Sequence, residues 1–137
     1  MRIIKHCRTS RLPRKKLQQT LDSVLDEFKP PSRNFNLIFV DSDYIEQLNL
    51  QFFSTSGITD VIAFPYDNQT ESLGEICICI KALRSNCEIY EVPLDEEIIR
   101  VSVHGLLHLL GYEDKTKAGK ENMEIIGERF VMGGMEN

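Results

Sequence analysis

The chain has 137 residues, enough for one domain with a substantial core, and its 42% hydrophobic and 27% charged residues are those of an ordinary soluble globular protein. Its apolar segments are far shorter than a membrane span, and its basic first residues are not followed by an uninterrupted apolar stretch, so a cytoplasmic protein without a membrane partner is expected. The net charge of -5 argues mildly against nucleic acid until its distribution is read: residues 1–21 carry Arg2, Lys5, Arg8, Arg11, Arg14, Lys15 and Lys16 with no acidic residue, and all 21 acidic residues lie beyond.

Residues 2–7 suit a short edge strand. From Leu12 to Phe28, the residues Leu17, Leu21, Val24, Leu25 and Phe28 fall at helical spacing, and Lys29-Pro30-Pro31-Ser32 ends the helix. Between Asn34 and Val40, Phe35, Leu37 and Phe39 alternate with Asn36, Ile38 and Val40, the pattern of a strand buried largely on both faces. Asp41 is placed to cap a helix whose apolar stripe is Ile45, Leu48 and Phe52. Ser54-Thr55-Ser56-Gly57 reads as a loop, followed by a strand from Asp60 to Phe64 that Pro65 ends. A polar hairpin-like connection, Asp67 to Ser72, leads into a strand around Leu73 to Ile80 and then a short helix over 81–90.

Pro93 is suited to a helix start, with Asp95, Glu96 and Glu97 in the first turn where carboxylates meet the positive end of the helix dipole. That helix runs to Leu110 with apolar residues on nearly every side, which marks it as a central core helix. A last helix over about 117–132 offers Met123, Ile126 and Phe130 before Gly133-Gly134 stops it. No internal repeat or linker interrupts the chain. The pattern is that of one α+β domain over residues 1–137, a small sheet covered by helices.

Cys7, Cys77, Cys79 and Cys87 show no Cys-x-x-Cys spacing; Cys77 and Cys79 alternate with Ile76, Ile78 and Ile80, so in a strand both thiols face one side as small buried hydrophobes. A second metal site is the poorer alternative.

The richest segment is His104-Gly-Leu-Leu-His108-Leu-Leu-Gly111-Tyr-Glu-Asp114. Residues four apart on a helix share a face, so both imidazoles can reach one ion, and burying the pair without a shared partner would be costly. Gly111 lets the chain leave the helix, and three further residues can swing Asp114 back toward the rings. Two nitrogens and one carboxylate leave an open position for water, the arrangement of a catalytic zinc, one per chain. No catalytic group beyond that water is assigned.

Zinc proteases with His-Glu-x-x-His use the Glu as general base, but here the position is Gly105, which cannot take a proton. The glycine serves tight helix packing, or close approach of a backbone or substrate.

In Leu48-Asn49, Thr59-Asp60-Val61-Ile62-Ala63-Phe64-Pro65, Leu73-Gly74-Glu75-Ile76-Cys77-Ile78 and His104 to Asp114, the chain resembles the YbeY-type single-strand endoribonucleases, or rRNA maturation factors. The resemblance implies a mixed sheet of about four strands with surrounding helices, a catalytic zinc, and action on ribosomal RNA of the small subunit, including maturation of the 16S rRNA 3′ end and ribosome quality control. It carries the metal-ligand role to His104 and His108; Asp114 stands where most members have a third histidine, and Phe53 where many have an arginine after an aromatic. Phe53 is then core packing or a stacking surface for a base. No role is assigned to Glu75.

With RNA as substrate, Arg11, Arg14, Lys15 and Lys16 become the candidate RNA contacts, against the alternative of a solvated helix start that balances an acidic body. Two other functions compete with the zinc-dependent endoribonuclease: a small zinc metalloprotease, which the ligand spacing allows and Gly105 opposes, and a non-catalytic ribosome-associated factor whose metal serves only the fold.

Overall fold

Alternation of apolar residues along the strands decides how this fold is layered. In the computed structural model, which describes residues 1–9, 11–53, 57 and 59–135, four strands form one mixed sheet: β1 (Arg2–Lys5), β2 (Asn36–Val40), β3 (Val61–Pro65) and β4 (Gly74–Cys79). Their spatial order is β1-β2-β4-β3, with β1, β2 and β4 parallel and β3 antiparallel to β4. Leu37, Phe39, Ile76 and Ile78 face one side of the sheet and enter the main core, while Ile38, Val40, Cys77 and Cys79 face the other with Ile45 and Ile62. The central strands are thus buried on both faces, as expected of parallel strands covered by helices.

Five helices complete the described residues: α1 (Arg14–Phe28), α2 (Ser42–Phe53), α3 (Ile80–Tyr90), α4 (Leu94–Leu109) and α5 (Lys117–Met135). α1 buries Leu17, Leu21, Val24 and Leu25 against α4 and α5 on the main-core side. It ends where Lys29 turns left-handed at φ 47° before Pro30. α2 covers the opposite face through Ile45, and its start is capped as anticipated, the Tyr44 N–H donating to Asp41 Oδ1 at 2.8 Å. No helix among the described residues is long and apolar enough to cross a membrane.

Several expected boundaries shift. The first strand stops at Lys5 rather than residue 7. Phe52, expected in the apolar stripe of α2, is 55% exposed: Ile45 is the residue of α2 that is fully buried, and Phe52 meets the Phe64 ring of β3 edge-on at 5.1 Å. The last helix does not stop at Gly133-Gly134 but continues to Met135. Glycine lowers helix propensity by only about 1 kcal/mol per residue, which the packing of Met123, Phe130 and Val131 upstream outweighs. Of the loop expected at 54–57, only Gly57 lies within the described residues, at φ 118°. The four cysteines are free thiols; Cys77 and Cys79 are buried, and burial, with Glu75 nearby, pushes the Cys77 thiol up to about 11.

α4 is the central helix, with Ile98, Ile99, Val101, Val103, Leu106, Leu107 and Leu109 all buried. It lies so close to β4 that a Cβ on Gly105 would stand 2.6 Å from Ile76 Cγ2. Packing is therefore the reason for the glycine, and a glutamate could not be accommodated there. Because Ile76 is β-branched and stiff in its strand, Gly105→Ala should overpack the contact at about 1–3 kcal/mol, partly offset by about 1 kcal/mol of helix propensity. Urea unfolding should show a net loss of about 1 kcal/mol; unchanged or higher stability would mean that the contact yields freely.

Candidate metal centre

Close packing of α4 against the sheet carries its C-terminal half to the free edge of β3, the strand at the end of the sheet order. There a cleft of about 760 Å³ opens, lined by β3 and the residues just before it, by Asn49 and Phe53 from α2, and by the end of α4 with the adjoining loop. His104 and His108 face into it one turn apart, with their Nε2 atoms 3.0 Å from each other.

The path of the chain beyond α4 decides whether a third donor joins them. The helix closes in a Schellman turn: the Gly111 N–H donates to the His108 carbonyl at 3.0 Å and the Tyr112 N–H to the Leu107 carbonyl at 3.1 Å. Gly111 sits at φ 102°, where a side chain would be strained. The reversal brings Asp114 Oδ2 to 3.5 Å from His104 Nε2 and 3.4 Å from His108 Nε2. The same turn presents the Tyr112 carbonyl to His108 Nδ1 at 3.0 Å, so Nδ1 carries the proton and Nε2 is left with its lone pair in the cleft.

These separations test the fit to a metal. Donors about 2.0–2.2 Å from a tetrahedral zinc lie about 3.3–3.6 Å apart; the two Asp114 separations, 3.5 and 3.4 Å, match, while the two imidazole nitrogens, 3.0 Å apart, would have to part by a few tenths of an ångström to seat the ion. All three residues can each offer one ligand atom within 4.8 Å of the others. Burial, reinforced by His108, pushes the His104 imidazole below the ordinary 6.5, with Asp114 and Asp60 opposing. At neutral pH that ring is therefore an uncharged donor, the form a metal requires.

The other sequence candidates lie elsewhere. Arg11, Arg14, Lys15 and Lys16 are exposed, form no ion pair among the described residues, and do not line the cleft. The opposite end of α1 reaches the metal side, where Phe28 meets Tyr112 edge-on at 5.7 Å, so 15 helical residues at 1.5 Å each put the basic start about 20 Å away. Phe53 is 52% exposed at the cleft wall and is not core. Glu75 accepts a hydrogen bond from the Tyr66 hydroxyl at 3.1 Å.

Three supporting groups went unnoticed in the sequence. Asp60 lines the cleft with its carboxylate held by Asn86 Nδ2 at 3.1 Å, and Gln69 Nε2 donates to the carbonyls of Leu73 and Leu109 at 2.9 and 2.8 Å, tying the β3–β4 connection to the end of α4. The third is the Tyr112 carbonyl. None had a local signal beyond Gly111, because each partner comes from a different element or from the backbone.

The family model described as Endoribonuclease YbeY matches residues 3–132. The chain belongs to the YbeY endoribonuclease family. Among its YbeY relatives, the endoribonuclease of Flavobacterium psychrophilum is 42% identical over 95 residues, 69% of this chain and 67% of that one. The YbeY endoribonuclease of Acholeplasma laidlawii is 36% identical over 112 residues, 81% of each chain. The solution structure of TM1509 from Thermotoga maritima shares the fold with a TM-score of 0.62 and 28% identity, over 98% of this chain and 91% of that one. YbeY membership makes the protein an enzyme, a nuclease that hydrolyses phosphodiester bonds.

If Asp114 is the third ligand, Asp114→Ala should weaken metal binding by more than about 100-fold, beyond the 10–100-fold typical of losing a residue that only orients a ligand. Titration with a zinc-competing chromophore, alongside His104→Ala/His108→Ala, would measure it. Parent-like affinity in Asp114→Ala would reduce the aspartate to a loop residue.

Proposed function

We propose that the protein is a zinc-dependent, single-strand-specific endoribonuclease of ribosomal RNA maturation, acting as one domain in the cytoplasm on the small subunit, at the 16S rRNA 3′ end and in ribosome quality control. The observation that carries the metal dependence is the convergence of His104 Nε2, His108 Nε2 and Asp114 Oδ2, 3.0 to 3.5 Å from one another, on the wall of an open cleft. A zinc ion held by these residues supplies Lewis acidity at the scissile phosphate. The chain's own part is to keep the His104 imidazole neutral through burial, to aim His108 through the Tyr112 carbonyl, and to hold the Asp114 loop in place through the Schellman turn. A single strand with splayed bases can enter a cleft walled by side chains from both faces of the sheet, which favours loops and ends of RNA over duplex.

The protease reading has little left to stand on. Gly105 provides no general base, and its contact with Ile76 leaves no room for one. Purified protein, metal-loaded and chelated, should be assayed on labelled single-stranded rRNA and on casein. Cleavage of RNA alone, abolished by chelation and restored by zinc, is expected; casein cleavage, or intact RNA under metal-loaded conditions, would overturn the reading.

Electrostatics give a second expectation. The basic segment, at the far end of α1 from the contact between Phe28 and Tyr112, does not line the cleft and is placed to hold RNA outside it. Replacing Arg11, Arg14, Lys15 and Lys16 by Gln should lower RNA affinity and flatten its dependence on salt, since fewer counterions are released. An unchanged salt slope in a folded variant would make the segment a solvated surface only.

A further inference from the structure

The cleft is poorly equipped to hold a polyanion by charge. Asp60, Asp67, Glu113 and Asp114 line it against a single cation among the described residues, Lys115, whose ammonium lies 3.9 Å from Glu113. A nucleic-acid backbone entering it meets more like charge than opposite charge, and a bound divalent ion offsets only part of this. Affinity next to the scissile bond is then better drawn from the uncharged parts of the nucleotide, of which the base offers the larger apolar face.

Aromatic surface stands where a base would lie. Phe53, 52% exposed, lines the cleft and tilts against Phe64 at 6.3 Å between ring centroids. Phe64 is in turn buttressed edge-on by Phe52 at 5.1 Å, so the half-exposed Phe53 ring is backed by other aromatic rings. Tyr66, 40% exposed, lines the same cleft, its hydroxyl tied to Glu75. Single exposed aromatics are ordinary on a protein surface; several grouped at the mouth of a metal cleft are not.

We infer that Phe53, backed by Phe64 and Phe52, is a stacking platform for a nucleobase of single-stranded RNA close to the scissile phosphate. The inference rests on the proposal that RNA enters this cleft. Stacking on an aromatic face tolerates any base and adds no charge, so it supplies affinity in an acidic cleft without fixing sequence. The two contact modes are then divided in space: ionic contact at the start of α1, stacking beside the metal.

The test measures binding by fluorescence anisotropy in EDTA, where no strand is cut, with a fluorescein-labelled ten-nucleotide oligo(A) RNA and the same strand carrying abasic riboses throughout. Wild type, Phe53→Ala and Phe53→Trp are compared. Phe53→Ala should bind oligo(A) about 5- to 100-fold more weakly than wild type, the range for losing one stacked base, while Phe53→Trp keeps wild-type affinity. On the abasic strand wild type and Phe53→Ala should bind alike. Equal binding of oligo(A) by wild type and Phe53→Ala overturns the proposal, as does an equal loss on both strands, or absence of wild-type binding. Cleavage plays no part in this readout. A wild-type protein that binds oligo(A) through Phe53 but cuts no RNA when metal-loaded would sink the nuclease reading and leave the platform standing.

Discussion

The contact between Gly105 and Ile76 fixes the distance between α4 and the sheet, and the site depends on that distance. A Cβ at this position would stand 2.6 Å from Ile76 Cγ2, so the glycine is what lets α4, and the histidines it carries, lie this close to β4 and the cleft. The main core then closes over α4 from the other side, with α1 and α5 packed along it. A helix enclosed in this way is apolar nearly all round, and its two imidazoles are its main polar concession toward the cleft.

Charged pairs keep the surrounding helices in register around that centre. Arg100 on α4 reaches Glu128 on α5 and the largely buried Glu97 of its own helix, while Arg129 on α5 holds Glu27 on α1 at 2.6 and 2.8 Å. Glu97 is 7% exposed and depends on its partner, since an unpaired carboxylate so deep would be expensive. The Glu27 pair is exposed and contributes little to stability, but like Arg100 it bridges elements distant in sequence. Both bridges lie among α1, α4 and α5, the helices packed together in the main core, with the histidines carried by α4.

Much of this was legible residue by residue. Alternation in Phe35 to Val40 and Ile76 to Cys79 located the central strands and sorted their faces, and the spacing of His104, His108, Gly111 and Asp114 predicted the grouping of the three donors. Asp41 was recognisable as a cap because capping is local. Long-range pairing was hidden: Asn86 supports Asp60 across 26 positions, and Gln69 reaches Leu109 across 40. The fate of Phe52 was hidden for a related reason. Helical spacing assigns a residue to a face, but how completely that face is covered depends on the side chains of other strands, here Phe64 of the edge strand β3. Glycines misled in the opposite sense at the end of α5, where distant packing overrode a weak local preference.

The Schellman turn joins the end of a helix to the chemistry beside it. Tyr112 is engaged through both its backbone groups, its N–H closing α4 and its carbonyl orienting His108. Fraying of the last helical turn would therefore loosen the ring and the Asp114 loop together, and an ion seated among the three donors would oppose that opening. Solvent exchange at the Tyr112 amide should then slow when the neighbouring site is filled, which would make a single backbone hydrogen a gauge of how long the site stays assembled.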